Sequence, residues 1–140
     1  MTDAVSTSHT LVISSKLSEL SRVEKFSEKI CKDAGIDEDV RENIAIAVTE
    51  VVNNAIIHGN KKDGAKKVFL EFIIGRKNIV IKVRDEGNGF DPHSLADPLA
   101  PENIMKEGGR GIYILRTLMD SVDFEFSPQG TTTILTKSIR

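Results

Sequence analysis

The chain has 140 residues, 39% of them hydrophobic and 29% charged, with a formal net charge of -2. That length suits one domain spanning 1–140, and the composition is that of a folded, soluble protein. There is no overall basic field to hold a nucleic-acid backbone, no signal-peptide pattern and no run near the ~18 apolar residues of a membrane span, so no direct nucleic acid, no membrane and a cytoplasmic location are expected.

Residues 1–8 are polar and read as a loose N-terminus, and HTLVIS at 9–14 reads as an edge strand. From Leu17, apolar Leu20, Val23, Phe26 and Ile30 recur every three or four positions, which predicts an amphipathic helix to about Ala34, stopped by Gly35 and capped by Ser15 or Ser18. Its apolar face fits a core better than a dimer surface. Cys31, the single cysteine, has no second thiol for a disulfide or a metal clip and reads as helix packing.

A second helix is predicted from Asp37, an N-cap with Glu38 and Asp39 beside it, to Gly59. VRENIAIAVTEVVNNAIIH is apolar around most of its circumference, so this helix should be buried against a sheet. NKKDGAK at 60–66 reads as a polar turn, and KVFLEFIIG and NIVIKVRDEG as an antiparallel hairpin, with Ile79, Ile81 and Val83 on the buried face. Residues 87 to 109 carry Gly87, Gly89, Gly108 and Gly109 near their ends and three prolines between, the makeup of a lid with hinges. A third helix from about Arg110 to Asp120 and a closing hairpin, VDFEFS and TTTILTKSI, complete the chain.

Three features carry chemistry. Glu50, Asn54 and His58 are spaced by four, so they form one polar stripe on an apolar helix, costly to bury without a partner. Asp85-Glu86-Gly87-Asn88-Gly89 puts an acid at a strand end, where it can accept a hydrogen bond from the exocyclic amine of a base, and glycines where backbone must approach a flat ring. Gly108-Gly109-Arg110-Gly111 precedes a helix whose free N–H groups favour phosphate. Taken singly, the three fit a solvated helix edge, an Asp-Gly turn and a flexible junction; their order on helix, strand end and loop makes the signal strong.

TEVVNNAIIHG, DEGNGF and GGRGIYILRTLMD resemble, in that order, the N-box and the two glycine boxes of the GHKL superfamily. The chain is most similar there to the small stand-alone anti-sigma-factor serine kinases, out to the terminal GTTTILTK. The resemblance implies an α+β fold: a two-layer α/β sandwich of a mixed, mostly antiparallel sheet covered on one face by helices (the Bergerat, histidine-kinase-like ATPase fold), with an ATP lid over 90–108.

By the same resemblance Glu50 is the general base, Asn54 the Mg²⁺ ligand and Asp85 the adenine-reading acid. Gly87 and Gly89 support that turn, Gly109 and Gly111 cradle phosphate with Gly108 and Arg110 counted among the nucleotide-binding residues, though Arg110, like Arg84, also fits a solvated surface arginine, and Thr131, or Thr132 in its place, assists adenine recognition. His58 ends the N-box and fits a structural hydrogen bond better than catalysis. Lys106 stands where the family commonly has a lid arginine; it brings charge without the bidentate fork. The implied cofactors are ATP and Mg²⁺, and the implied partners are a STAS-domain anti-anti-sigma factor, a sigma factor and a second copy in a homodimer. With the ATP site filling the 140 residues, neither a helical phospho-acceptor domain nor a transducer domain is expected beside it. A second reading is a non-catalytic ATP-binding regulator that sequesters a sigma factor or other partner, and a third is a switch kinase activating a phosphatase.

Overall fold

The computed structural model describes residues 6–87 and 111–140. Strands form where apolar and polar residues alternate: β1 (Thr7–Ser14), β2 (Lys67–Ile74), β3 (Asn78–Arg84), β4 (Ser121–Ser127) and β5 (Gly130–Ser138). They build one five-stranded sheet in the order β1-β2-β3-β5-β4. Every pairing is antiparallel, so among the described residues the sheet has no parallel member, where a mixed sheet was expected. β1 lies at one edge as predicted and begins at Thr7, two residues before the apolar run.

The alternation gives the sheet two unlike faces. Val68, Leu70, Phe72 and Ile74 of β2, Ile79, Ile81 and Val83 of β3 and Leu135 of β5 are buried toward the helices, while Phe69, Glu71, Val80 and Lys82 of the opposite face are half-buried. Helix α1 (Leu20–Asp33), entered through a 3-10 turn at Leu17–Glu19, inserts Val23 and Ile30 into this core, and its Phe26 meets Phe72 edge to face at 5.4 Å between centroids. The predicted face of α1 is therefore core. Cys31 is buried in it, and burial pushes its thiol up to about 11. Ser15 and Ser18 do not cap: the 3-10 turn starts after Lys16 with no side-chain cap, and the Ser15 hydroxyl instead donates to the Lys66 carbonyl (2.8 Å).

Helix α2 (Glu38–Asn54) starts after Asp37 as predicted, though the Asp37 side chain makes no cap bond and only its carbonyl accepts from Arg41 N–H (2.9 Å). Ile44, Ala47, Val48, Val51 and Val52 are buried on one face, while Ile46 on the other side is 53% exposed, so α2 is covered on one side rather than around most of its circumference as expected. The predicted end at Gly59 is correct, but the last turn, Ala55–Gly59, is π-helical, closed by Asn60 N–H on the Ala55 carbonyl (2.8 Å). Lys61 and Lys62 then adopt left-handed φ values of 55° and 59°, which reverse the chain toward β2. Helix α3 (Gly111–Leu118) packs beside α2 and buries Leu115, with Met119 buried just beyond its end. No helix among the described residues is long and apolar enough to cross a membrane.

Candidate functional site: an acid loop against the end of the central helix

Four residues make slightly more than one α-helical turn, so Glu50 and Asn54 share a face of α2. Both are half-buried, and Asn54 Nδ2 donates to Glu50 Oε2 at 3.2 Å. A carboxylate only accepts, so the amide nitrogen must face Glu50, which turns the Asn54 oxygen away as an available hard ligand. His58 lies half-buried one turn further on, inside the π-helical turn.

The π turn matters because it brings the end of α2 against the loop after β3. Asp85 continues the buried face of Ile81 and Val83 and is 8% exposed. Its Oδ1 accepts two backbone N–H bonds, from Gly87 at 2.9 Å and from Thr131 at 3.3 Å. Its own N–H donates to the Thr131 carbonyl at 2.9 Å, so β5 holds this residue at both its backbone N–H and its side chain. Among the described residues Oδ2 has no hydrogen bond. Burial raises the Asp85 carboxyl above the usual aspartate range, against the opposing pull of the Gly87 and Thr131 amides and, more weakly, of Arg84 and Lys66.

Two glycines make this approach possible. A Cβ at Gly59 would overlap Asp85 Oδ2 and stand 2.5 Å from its Cγ, and a Cβ at Gly87 would overlap the Gly59 carbonyl oxygen. Backbone therefore meets carboxylate with no side chain between, leaving the space beside Oδ2 shaped by main chain.

The sequence-predicted residues fall into three groups. Glu50 and Asn54 are together on α2, and Asp85, Gly87 and Thr131 are together at the β3 end. Thr131 shares the helix-side face with Leu135, whereas Thr132 alternates to the opposite face, so alternation places Thr131 beside Asp85. Gly111 is the first residue of α3. Gly89, Lys106, Gly108, Gly109, Arg110 and the predicted lid over 90–108 lie outside the described residues.

Sequence reasoning missed Asn60, Glu86 and the second duty of Gly59. Asn60 reads as part of a polar turn, yet it is wholly buried and hydrogen-bonded to the Glu86 N–H at 2.7 Å. Gly59 reads as a helix stop, while here it also makes room for Asp85. A buried asparagine can be found in a sequence only if its distant partners, here Ser15 and Glu86, are already known to be near.

Comparison with known proteins gives the family. The family model described as "Histidine kinase-like ATPase domain" matches residues 13–137. The serine-protein kinase RsbW of Bacillus licheniformis is 34% identical over 114 residues, covering 77% of this chain and 71% of that protein. That of Staphylococcus aureus is 34% identical over 116 residues, covering 76% and 71%. In fold, the chain is similar to the RsbU and RsbW domains of Rv1364c from Mycobacterium tuberculosis, with a TM-score of 0.69 at 17% identity over 94% of this chain and 31% of that one. A family model that covers most of the chain and relatives 34% identical over more than two thirds of their length show the family: the chain belongs to the serine-protein kinase RsbW family of histidine kinase-like ATPase domains.

Proposed function

We propose that this chain is an ATP-dependent anti-sigma-factor serine kinase that phosphorylates a STAS-type anti-anti-sigma factor and sequesters a sigma factor, acting in the cytoplasm as a homodimer. The observation that carries the catalytic part is the Glu50–Asn54 pair, whose hydrogen bond leaves a carboxylate and an outward amide oxygen side by side. In this reading Asp85 Oδ2 accepts from the adenine amine, Thr131 supports that contact, and Gly87, Gly89, Gly108, Gly109, Arg110 and Gly111 surround the nucleotide. His58 braces the end of the N-box helix.

Glu50 takes the proton of the acceptor serine as its oxygen bonds the γ-phosphorus and the bond to the β-γ bridging oxygen breaks, releasing ADP. Asn54 would hold Mg²⁺, which offsets charge on the phosphate oxygens when bound. A single amide ligand fits that ion, because Mg²⁺ held with nucleotide keeps waters and phosphate oxygens and needs few protein ligands. Lys106 would add charge near the γ-phosphate.

The test is purified protein with Mg-ATP and STAS-domain proteins encoded by the same genome. Phosphoserine on one of them, abolished by Glu50→Ala with ATP affinity kept, is the expected result. Nucleotide binding with no transfer to any of them, and partner binding indifferent to Glu50→Ala, would favour a non-catalytic regulator instead.

A further inference from the structure

Behind the acid loop lies a buried polar knot centred on Asn60, which is 0% exposed. Its Nδ2 donates to Ser15 Oγ at 2.7 Å and to the Lys67 carbonyl at 3.0 Å, and its Oδ1 accepts from Glu86 N–H at 2.7 Å. Ser15 Oγ donates onward to the Lys66 carbonyl at 2.8 Å, and Glu86 Oε1 accepts from Lys67 N–H at 2.6 Å. One side chain thus ties the end of β1, the start of β2 and the residue after Asp85 to the end of α2. Its donors hold the scaffold and its acceptor holds the loop.

The bond to Glu86 falls on the peptide that joins it to Asp85. On that peptide's other polar group, the Asp85 carbonyl, Gly130 closes in so tightly that a Cβ there would overlap the oxygen. The peptide is held at its N–H by Asn60, Gly130 leaves its C=O no room for a side chain, and the preceding N–H, that of Asp85, donates to the Thr131 carbonyl at 2.9 Å; together these set the direction from which the Asp85 side chain leaves the backbone. We infer that Asn60 is a positioning residue for base recognition: it aims Asp85 Oδ2, through Glu86 N–H, at the exocyclic amine of the nucleotide base. The inference rests on the reading of Asp85 as the adenine acceptor.

The experiment compares ADP with IDP, whose base lacks the exocyclic amine, by calorimetry on the full chain, with thermal melting alongside. Asn60→Ala should lower the preference for ADP over IDP by about tenfold, the loss of one charge-assisted hydrogen bond. Ser15→Ala removes both scaffold bonds of the Ser15 hydroxyl, from Asn60 and to Lys66, but leaves Asn60 Oδ1 on Glu86, so it should lower the melting temperature while keeping the preference within about twofold. Should Asn60→Ala fail to fold, Asn60→Asp keeps the acceptor and is expected to hold the preference at reduced stability; losing it there would overturn the inference. Asp85→Ala separates the two levels. If it leaves the ADP preference intact, the adenine reading and this inference both fall. If Asp85→Ala erases the preference while folded Asn60→Ala keeps it, only the assignment to Asn60 falls.

Discussion

Replacing Gly59 by alanine tests whether the π-helical end of α2 is built to admit the Asp85 carboxylate. In an ordinary helix this change favours folding by about 1 kcal/mol, because alanine loses less backbone freedom than glycine. Here the added Cβ would overlap Asp85 Oδ2 and lie 2.5 Å from Cγ and 2.9 Å from Cβ of the same residue. Three atoms of one side chain are struck at once, so a rotation of the terminal carboxylate cannot relieve the contact. Asp85 cannot retreat either, since Gly87 N–H, Thr131 N–H and the Thr131 carbonyl hold it. Overpacking of this kind costs about 1–3 kcal/mol, enough to cancel the propensity gain or exceed it. Turning the carboxylate away would also forfeit a charge-assisted bond to the base worth about 1.5–3 kcal/mol, or roughly ten- to a hundredfold in affinity. Calorimetry with ADP and thermal melting read the two effects separately. Gly75→Ala is the matched control, as a Cβ there meets its nearest atom, the Asn78 carbonyl oxygen, at an ordinary 3.5 Å. A Gly59→Ala protein that binds ADP like the parent and melts at the same or a higher temperature would refute the reasoning.

Three further outcomes follow from the same geometry. Burial raises the Asp85 carboxyl, so its charged form is disfavoured in the folded state; its contribution to stability is greatest below the ordinary aspartate value and is lost as pH rises through the raised one. ADP affinity should move the opposite way over that window, rising as the carboxylate forms, and Asp85→Asn should flatten both trends in melts and titrations with and without nucleotide. Cys31, pushed up to about 11 and buried, should react with a disulfide reagent near pH 8 about 100-fold more slowly in the native protein than in denaturant, from its thiolate fraction alone. Phe72→Ala empties the centre of the core, where the ring is wholly buried against Phe26, and should cost about 3–5 kcal/mol in urea unfolding, a large share of the stability of a domain this size.

The elements were legible because their signals are local. Ile79, Ile81 and Val83 alternate as a one-faced strand must, and Leu20, Val23, Phe26 and Ile30 recur as a helix face must, whatever else the chain does. The Glu50–Asn54 contact was legible for the same reason, since helical spacing alone brings them together. What the sequence concealed is set by long-range contact. Ser15 looks like a cap, but Asn60, 45 residues away, and Lys66 claim its hydroxyl. The residues 60–66 look like a solvated turn because six of the seven are polar or glycine, and nothing local marks Asn60 as the one drawn inside. Nor does any periodicity announce that the last turn of α2 is wound as a π-helix.

That last feature joins the two halves of the proposed site. In an α-helical ending, Asn60 N–H would bond to Ile56; the π turn moves it to the Ala55 carbonyl and leaves the Ile56 carbonyl to Lys62 N–H at 2.7 Å. One extra residue in the turn changes the direction in which Gly59 and Asn60 leave the helix axis. With that change, the bare backbone of Gly59 faces Asp85 while the Asn60 side chain passes beneath Glu86. The helix that carries Glu50 and Asn54 thereby also sets the position of Asp85, so the proposed phosphate chemistry at one end and the proposed base recognition at the other would share a single reference.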